Sequence, residues 1–399
     1  MRKVIAVDAT SLKTSYKGFL IVATAQDGNR NLYPLAWGIV DTENDASWNW
    51  FMKKLVEVIP DSNDMVVISD RHQSISNVVR DVYKRAKHAY CAYHISQNIK
   101  TLVNKGVRGK RNKNGDSVAG MFYKCAESYI EKEFTILWGE FCDRFPKVAE
   151  YLKKSVEPVK WARCYFPGER YNLLTTNGAE TINSVLRKAR TLPLLGLIDV
   201  IVDKTVEWWC KRRTRAFSST QQLTPYVEKE LHKRYRSSKV FTIREINRNW
   251  KEYEVTDDSG KTYFVDLQKK SCDCREWDVD KYPCSHAIKA VHEHGEKDKL
   301  FDYCSPYYTR ATWEWAYVDS IYPVSDISHW NILEHVAEMK VDPPILRQRG
   351  VGRPITSRIK SAGEKRRKKR RSRMTPCDSD DSNGTQSNKR KKTGKAMEI

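Results

Sequence analysis

The segment spanning residues 271–295, SCDCREWDVDKYPCSHAIKAVHEHG, constrains this chain more than any other part of its sequence. It contains the pattern C-x-C, nine residues, C-x-H, formed by Cys272, Cys274, Cys284 and His286. Three thiolates and an imidazole supply the four ligands of a tetrahedral zinc ion. A polar segment this short has too few apolar residues to fold without such a cross-link. We therefore predict a structural zinc site with these four ligands.

The residues around these ligands predict a small ββα module. A strand over residues 261–267 precedes the cysteines, and a short helix is expected over residues 287–294. Cys284 and His286 would then lie near the start of that helix, where the helix dipole favours a thiolate. With all four positions taken by protein, the metal has no open site and is expected to bind rather than to catalyse.

Two other interpretations of the same segment remain open. His292 or His294, which follow on the predicted helix, could replace His286 as the fourth ligand. Alternatively, the three cysteines are reduced thiols in a loop that binds no metal. The C-x-C spacing also differs from the C-x-x-C of ordinary zinc fingers, so that motif does not apply.

The charge of the chain is concentrated in its last part. Of the net charge of +21, a net +13 belongs to residues 343–399, which hold 18 Lys and Arg against 5 Asp and Glu. Such a tail is typical of a nucleic-acid-binding arm or a nuclear import signal, and a merely solvated tail is the alternative. The sequence has no signal peptide and no apolar run of ~20 residues, so we expect no membrane association and reduced cysteines.

The first hundred residues predict a mixed sheet with helices. Apolar runs at residues 3–8, 18–26, 32–41, 65–70 and 88–94 predict five strands. The Asp27-Gly28 pair predicts the turn between the second and third strands, with a positive φ at the glycine. Amphipathic helices are expected at residues 46–59, with Trp50 and Leu55 in the core, and at 75–86. The order β-β-β-α-β-α-β predicts an α/β protein of the ribonuclease H-like class.

Two carboxylates end predicted strands that are otherwise apolar. These are Asp8 on the first strand and Asp70 on the fourth. Neighbouring strands that end at one edge of a sheet would bring the two carboxylates together, and paired carboxylates repel unless a cation joins them. The alternative is that each aspartate caps the turn or helix that follows it.

A third carboxylate is expected further along the chain, on a helix. Residues 175–190, TTNGAETINSVLRKAR, predict a helix capped by Thr176 or Asn177, with Glu180 in its first turns. Glu180 would either join the aspartates or simply complement the helix dipole.

Three stretches resemble the core of plant Mutator-like element (MULE) transposases. They are GFLIVATAQDGNRNLYPLAWGIVDTENDASWNWFMKKL at 18–55, ISDRHQSI at 68–75 and CAYHISQNIK at 91–100. The C-x-C…C-x-H segment is similar to the SWIM-type zinc finger of that family and lies where the family has one. The resemblance covers residues 1–296 and extends to transposase-derived regulators related to the far-red-impaired-response proteins.

This resemblance implies a ribonuclease H-like fold with a DDE triad of two aspartates and a glutamate. Carried over to this chain, the triad is Asp8, Asp70 and Glu180, which would hold Mg²⁺ or Mn²⁺. The family's C-x-x-H motif falls on Cys91 and His94, either as structural residues or as accessory metal or DNA contacts. Other acidic residues of the helical insertion remain alternatives to Glu180, namely Glu127, Glu131, Glu133, Glu140 and Glu169.

The resulting organisation has five parts. The first part of the transposase core occupies 1–100, and a helical insertion with closing helices carrying the third carboxylate occupies 101–220. The zinc finger region follows at 221–300, with its motif at 263–296, then an extension at 301–342 and a disordered basic tail at 343–399. The nuclear import candidate within the tail is the run Lys365, Arg366, Arg367, Lys368, Lys369, Arg370 and Arg371.

Two classes of function follow from these features. The first is a zinc-binding, nuclear, DNA-binding transposase-like protein that retains metal-dependent DNA cleavage and strand transfer. The alternative is a domesticated, non-catalytic transcriptional regulator or an inactive truncated transposase. Met1 directly precedes the first strand, so the family's N-terminal DNA-binding region is expected to be missing. Expected partners are DNA, other proteins through the SWIM module, and further copies of the chain.

Overall fold

The computed structural model describes residues 2–14, 17–104 and 117–339. The predicted basic tail at 343–399, with its import run at 365–371, lies outside the described residues. Among the described residues, no helix is both long and apolar enough to cross a membrane.

A five-stranded mixed sheet forms the first part of the protein. Its strands are β1 (Val4–Ser11), β2 (Phe19–Gln26), β3 (Leu32–Val40), β4 (Val66–Ser69) and β5 (Lys87–Tyr90). The sheet order is β3-β2-β1-β4-β5, in which β2 is antiparallel to β1 and β3, while β4 and β5 run parallel to β1. Two helices connect the later strands, α1 (Asp45–Val58) and α2 (Gln73–Val82). The prediction of a mixed α/β fold is confirmed.

The two faces of the sheet are covered by different helices. On one face, Ile21 and Ala23 of β2 pack in a cluster with α1 and α2. On the other face, Leu20 and Val22 pack against two later helices, α8 (Asn177–Val185) and α9 (Leu194–Phe217). Because alternate strand residues point to opposite faces, the apolar run of β2 is buried on both sides.

Two details of the predicted elements are wrong. Trp50 is 48% exposed, because the buried stripe of α1 is Trp48, Phe51, Met52 and Leu55, and residue 50 lies off that helical face. The predicted strand 88–94 ends at Tyr90, so its later residues begin a helix instead.

The turn between β2 and β3 differs from the predicted one. Its positive φ falls on Arg30, at 61°, rather than on Gly28. Asp27 shapes the turn by accepting hydrogen bonds from the backbone N–H and the side-chain amide of Asn31, at 2.6 and 2.7 Å. Gly28 is required for close approach, because a Cβ there would lie 2.3 Å from the carbonyl oxygen of Tyr307.

A helical insertion follows the sheet. It consists of α3 (Ala92–Asn104), α4 (Val118–Glu127), α5 (Glu131–Arg144), α6 (Pro146–Ser155) and α7 (Pro158–Trp161). These helices bury an aromatic core around Trp161, Phe122 and Phe141. The chain then returns to the sheet through α8 and α9, and α10 (Pro225–Ser238) leads into the zinc-finger region.

A second, antiparallel sheet supports the cysteine-rich segment. Its strands, in order, are β6 (Thr242–Asn247), β7 (Glu252–Thr256), β8 (Thr262–Asp266) and β9 (Ser271–Cys272). Two helices follow, α11 (Glu276–Asp280) and α12 (Ser285–Glu293). The module is therefore larger than the predicted ββα unit, with four strands and two helices.

The last described residues fold back onto the first sheet. Helix α13 (Arg310–Trp315) carries Trp313, whose Nε1 donates a hydrogen bond of 2.9 Å to the buried carboxylate of Asp27. The hydroxyl of Tyr317 donates a second bond of 2.9 Å to the same oxygen. Beyond this point, the only α-helix among the described residues is α14 (Glu334–Ala337).

Candidate functional site

The four predicted zinc ligands come together at one end of the second sheet. Cys272 ends β9, Cys274 follows two residues later, and Cys284 and His286 lie at the start of α12. Their ligand atoms all lie within 4.8 Å of one another, and the side chains are almost completely buried. This donor set fits a structural Zn²⁺ with all four positions supplied by the protein.

Local backbone structure positions each of these ligands. Cys284 is the N-cap of α12, and its Sγ accepts a hydrogen bond of 3.4 Å from the backbone N–H of Ala287. The Nδ1 of His286 faces the sulfurs of Cys272 and Cys284 at 3.7 and 3.9 Å. The imidazole ring stacks on Tyr263, with ring centroids 4.1 Å apart, so its orientation is set by an aromatic neighbour.

The buried thiols of this cluster need a bound cation in order to ionise. Burial raises the pKa of the Cys284 thiol well above its ordinary value, and hydrogen bonding to the Cys274 thiol raises the pKa of Cys272. Three thiolates cannot share this buried space without a positive charge, which a zinc ion supplies. Burial lowers the pKa of His286 to about 4, so its imidazole is neutral and able to ligate near pH 7.

The two alternative histidines are engaged elsewhere. His292 stacks on Tyr235 with ring centroids 4.9 Å apart, and the Nδ1 of His294 is hydrogen-bonded to the Tyr253 hydroxyl at 2.7 Å. The structure therefore places His286, and neither of the other two, beside the three cysteines.

Arg234 of α10 connects this module to the helix that precedes it, and sequence reasoning missed it. Its guanidinium donates to the carbonyl oxygens of Tyr282 and Pro283, at 3.2 and 3.0 Å, and to the buried carboxylate of Asp280. These acceptors lie directly before Cys284. Arg234 thus fixes the backbone just before Cys284. An isolated arginine in a helix carries no sequence signal for such a role.

A second polar cluster lies at the edge of the first sheet, around Asp8 and Asp70. The parallel ladder between β1 and β4 pairs Ile5 with Val67 and Ala6 with Ile68. Two residues beyond its last pair, the two chains reach Asp8 and Asp70. The sheet register therefore brings the aspartates to neighbouring positions, although Asp8 lies within β1 rather than at its end.

Helix α8 adds Glu180 to this cluster. The pKa of Asp8 is raised to about 7, first by burial, and then by the nearby charges of Glu180 and Asp70, while His94 opposes the shift. Asn183, one helical turn after Glu180, donates a hydrogen bond of 2.9 Å to the carboxylate of Asp8. Asn183 was also missed, although its spacing from Glu180 is a signal that could have found it.

Two further observations bear on the roles of these carboxylates. Asp70 accepts a hydrogen bond of 2.9 Å from the backbone N–H of His72, which precedes α2, so the turn-capping interpretation holds for it at the same time. The charges that act on Asp8 come from His94, Glu180 and Asp70. The charges that act on Asp8 do not include those of the alternative acidic residues, which are Glu127, Glu131, Glu133, Glu140 and Glu169.

Cys91 and His94 adjoin the same edge of the sheet. Cys91 follows β5, and its backbone N–H donates a hydrogen bond of 2.7 Å to the carbonyl oxygen of Ser69. His94 lies in the first turn of α3. The Nε2 of His94 is 3.9 Å from a carboxylate oxygen of Glu180. Burial opposes a charge on His94, but the nearby Cys91, Asp8 and Glu180 outweigh it and raise its pKa to about 9.

Comparison with known proteins agrees with both parts of this arrangement. Residues 4–98 match the MULE transposase domain, and residues 263–295 match the SWIM zinc finger. The chain is similar to Protein FAR1-RELATED SEQUENCE 4 of Arabidopsis thaliana, with 19% identity over 320 residues that cover 73% of this chain and 43% of that protein. The chain thus spans less than half the length of this curated relative. The predicted resemblance is confirmed, and the chain combines a transposase-derived domain with a zinc-binding module.

Proposed function

We propose that this chain, with its MULE transposase domain and SWIM zinc finger, is a nuclear DNA-binding protein that cleaves DNA with a divalent metal ion. Its first domain would have a ribonuclease H-like fold, and Asp8, Asp70 and Glu180 would be its catalytic carboxylates. The SWIM zinc would be purely structural, since four protein ligands leave no open position.

The topology of the first sheet supports the ribonuclease H-like assignment. Three antiparallel strands come first, and two parallel strands, each preceded by a helix, are added beside β1. This is the element order β-β-β-α-β-α-β on which the sequence prediction rests. The carboxylates lie where the central strands β1 and β4 reach one edge, which is where α/β sheets place their functional groups.

The single observation that carries the proposal is the buried carboxylate of Asp8, whose pKa is raised first by burial and further by the charges of Glu180 and Asp70. A bound cation would offset this burial and repulsion. The Oδ1 of Asn183 is buried beside Asp8 and has no hydrogen-bond partner among the described residues. An amide oxygen and carboxylates are the ligand types that Mg²⁺ and Mn²⁺ prefer, so the residues present fit the metal.

The chain's own residues orient this donor set. Asn183 fixes Asp8 by donating to it, the backbone N–H of His72 fixes Asp70, and the Thr176 hydroxyl lies 3.4 Å from Glu180. Bound Mg²⁺ or Mn²⁺ would supply activation of the attacking hydroxyl and stabilisation of charge on the phosphate.

A second candidate function is DNA binding without cleavage. It is supported by the similarity to Protein FAR1-RELATED SEQUENCE 4 and by the protonated His94, which already supplies a positive charge among the carboxylates. Under this alternative the basic tail and the SWIM module would bind DNA and partner proteins, and the carboxylates would only be structural.

A nicking assay with supercoiled DNA tests the proposal. The full chain should convert the substrate to the nicked form in Mg²⁺ or Mn²⁺, and Asp70→Asn should abolish the activity. Asp81→Asn is the matched control, because this aspartate is exposed on α2 and pairs with Arg80 at the surface. Cleavage that survives Asp70→Asn would refute the triad, whereas DNA binding without any nicking would favour the non-catalytic alternative.

A further inference from the structure

A cluster of three potential metal ligands lies apart from the zinc finger. It consists of Cys91, His94 and Glu180, one ligand atom of each lying within 4.8 Å of the others. Cys91 and His94 come from the junction of β5 and α3, and Glu180 comes from the first turn of α8. Two separate elements therefore converge on one small polar volume.

The sulfur of Cys91 is arranged as an acceptor. Cys91 is 0% exposed, and its Sγ accepts hydrogen bonds from the backbone N–H and the hydroxyl of Thr176, at 3.2 and 3.3 Å. These contacts fix the position of the sulfur, and cysteine sulfur is a ligand type that Zn²⁺ favours.

The imidazole of His94 offers a nitrogen to the same volume. Its Nδ1 is buried, its ring is hydrogen-bonded to Cys91, and its Nε2 lies 3.9 Å from a carboxylate oxygen of Glu180. The imidazole therefore contacts both other members of the cluster.

We propose that Cys91, His94 and Glu180 form a second Zn²⁺ site, distinct from the SWIM site and open at its fourth position. Sulfur and imidazole ligands select Zn²⁺ over Mg²⁺, which takes oxygen ligands, and His94 gives up its extra proton when the metal binds. Three protein ligands leave room for water or a phosphate oxygen, unlike the closed SWIM site.

The site shares Glu180 with the cluster around Asp8. Zinc bound by Cys91 and His94 also binds the carboxylate of Glu180, which is then less available to a metal ion beside Asp8. This consequence rests on the proposed cleavage activity, and it predicts that Zn²⁺ beyond one equivalent per chain inhibits nicking in Mg²⁺. Binding itself does not depend on that activity and is measured separately.

Cobalt titration of the full chain, isolated with zinc in its finger, tests the site. One further equivalent of Co²⁺ should bind and give a thiolate-to-cobalt absorption band in the near ultraviolet. Cys91→Ser should remove the band while leaving one zinc bound, and Glu180→Gln should weaken Co²⁺ binding by at least roughly ten-fold. Cys125→Ser is the matched control, since this thiol is equally buried but lies outside the cluster.

Three outcomes would overturn the assignment. They are the absence of a further equivalent of Co²⁺, a band that persists in Cys91→Ser, and a band lost only in Cys272→Ser, which would place cobalt in the finger. If Cys91→Ser does not fold, His94→Gln serves instead, because this side chain is 30% exposed and its replacement leaves the thiol in place. Loss of nicking in Asp70→Asn would leave the cobalt result unchanged, so failures of the two proposals are distinguishable.

Discussion

Replacing Arg234 with methionine tests how the zinc module is held to the rest of the protein. The guanidinium is 12% exposed and bonds to Asp280, which is 2% exposed, and to the carbonyl oxygens of Tyr282 and Pro283. Methionine keeps much of the side-chain volume and its contact with the Tyr282 ring but removes every donor. Among the described residues, the buried carboxylate of Asp280 then keeps only long contacts with the hydroxyl of Tyr129, at 3.4 and 3.5 Å.

The expected loss is large because one buried charge remains uncompensated. Removing one partner of a buried ion pair costs about 3–5 kcal/mol, and little solvent reaches this pair to screen it. The carbonyls that lose their donor lie directly before Cys284, so zinc affinity should also fall by about ten- to a hundred-fold, as for other residues that orient metal ligands.

Two measurements check this prediction, urea unfolding followed by circular dichroism and zinc release to a coloured chelator. Arg236→Met is the matched control, since Arg236 lies on the same helix but is exposed, and it should change stability by no more than about 0.5 kcal/mol. Adding Asp280→Leu to Arg234→Met should recover part of the loss, because it removes the unpaired charge. A single variant as stable as the control, or a double variant no better than the single one, would refute the reasoning.

Two other perturbations have clear expected outcomes. Asp27→Ala should destabilise the protein by about 2–4 kcal/mol in urea unfolding, because it leaves the buried donors of Trp313 and Tyr317 without an acceptor; an unchanged midpoint would contradict this. Burial lowers the pKa of His88 to about 3, well below its unfolded value of about 6.5. The unfolded chain therefore binds the proton first, and stability should fall as the pH drops from about 6.5 towards 3. His88→Gln, which can still bond to the Ser69 hydroxyl, should flatten that slope, and an unaltered pH profile would show that His88 is not responsible.

The zinc finger could be predicted in detail because its information is local. All four ligands lie between residues 272 and 286, and their spacing alone brings them within reach of one ion. The choice among histidines depended on what surrounds them. Tyr253 and Tyr235 engage His294 and His292, and these aromatic residues lie too far away in sequence for spacing to identify them.

The carboxylate cluster was predictable only in part. Apolar runs ending near Asp8 and Asp70 predicted the strands β1 and β4, since buried strands are apolar on both faces. The register that makes them neighbours belongs to the β1–β4 pairing. Glu180 was one of several acidic residues in a helical region, and only the packing of α8 on β1 and β2 brought it and Asn183 to Asp8.

The sequence by itself thus determined the Cys3His cluster, the strand and helix order of the first sheet and the resemblance to transposases. Each of these depends on spacing or periodicity within a short stretch of chain. Tertiary structure alone decided that Arg234 bonds to the backbone just before Cys284, that Asn183 binds Asp8, and that Glu180 lies beside Cys91 and His94. These contacts join residues far apart along the chain, and burial and charge select them only once the helices have packed on the sheet.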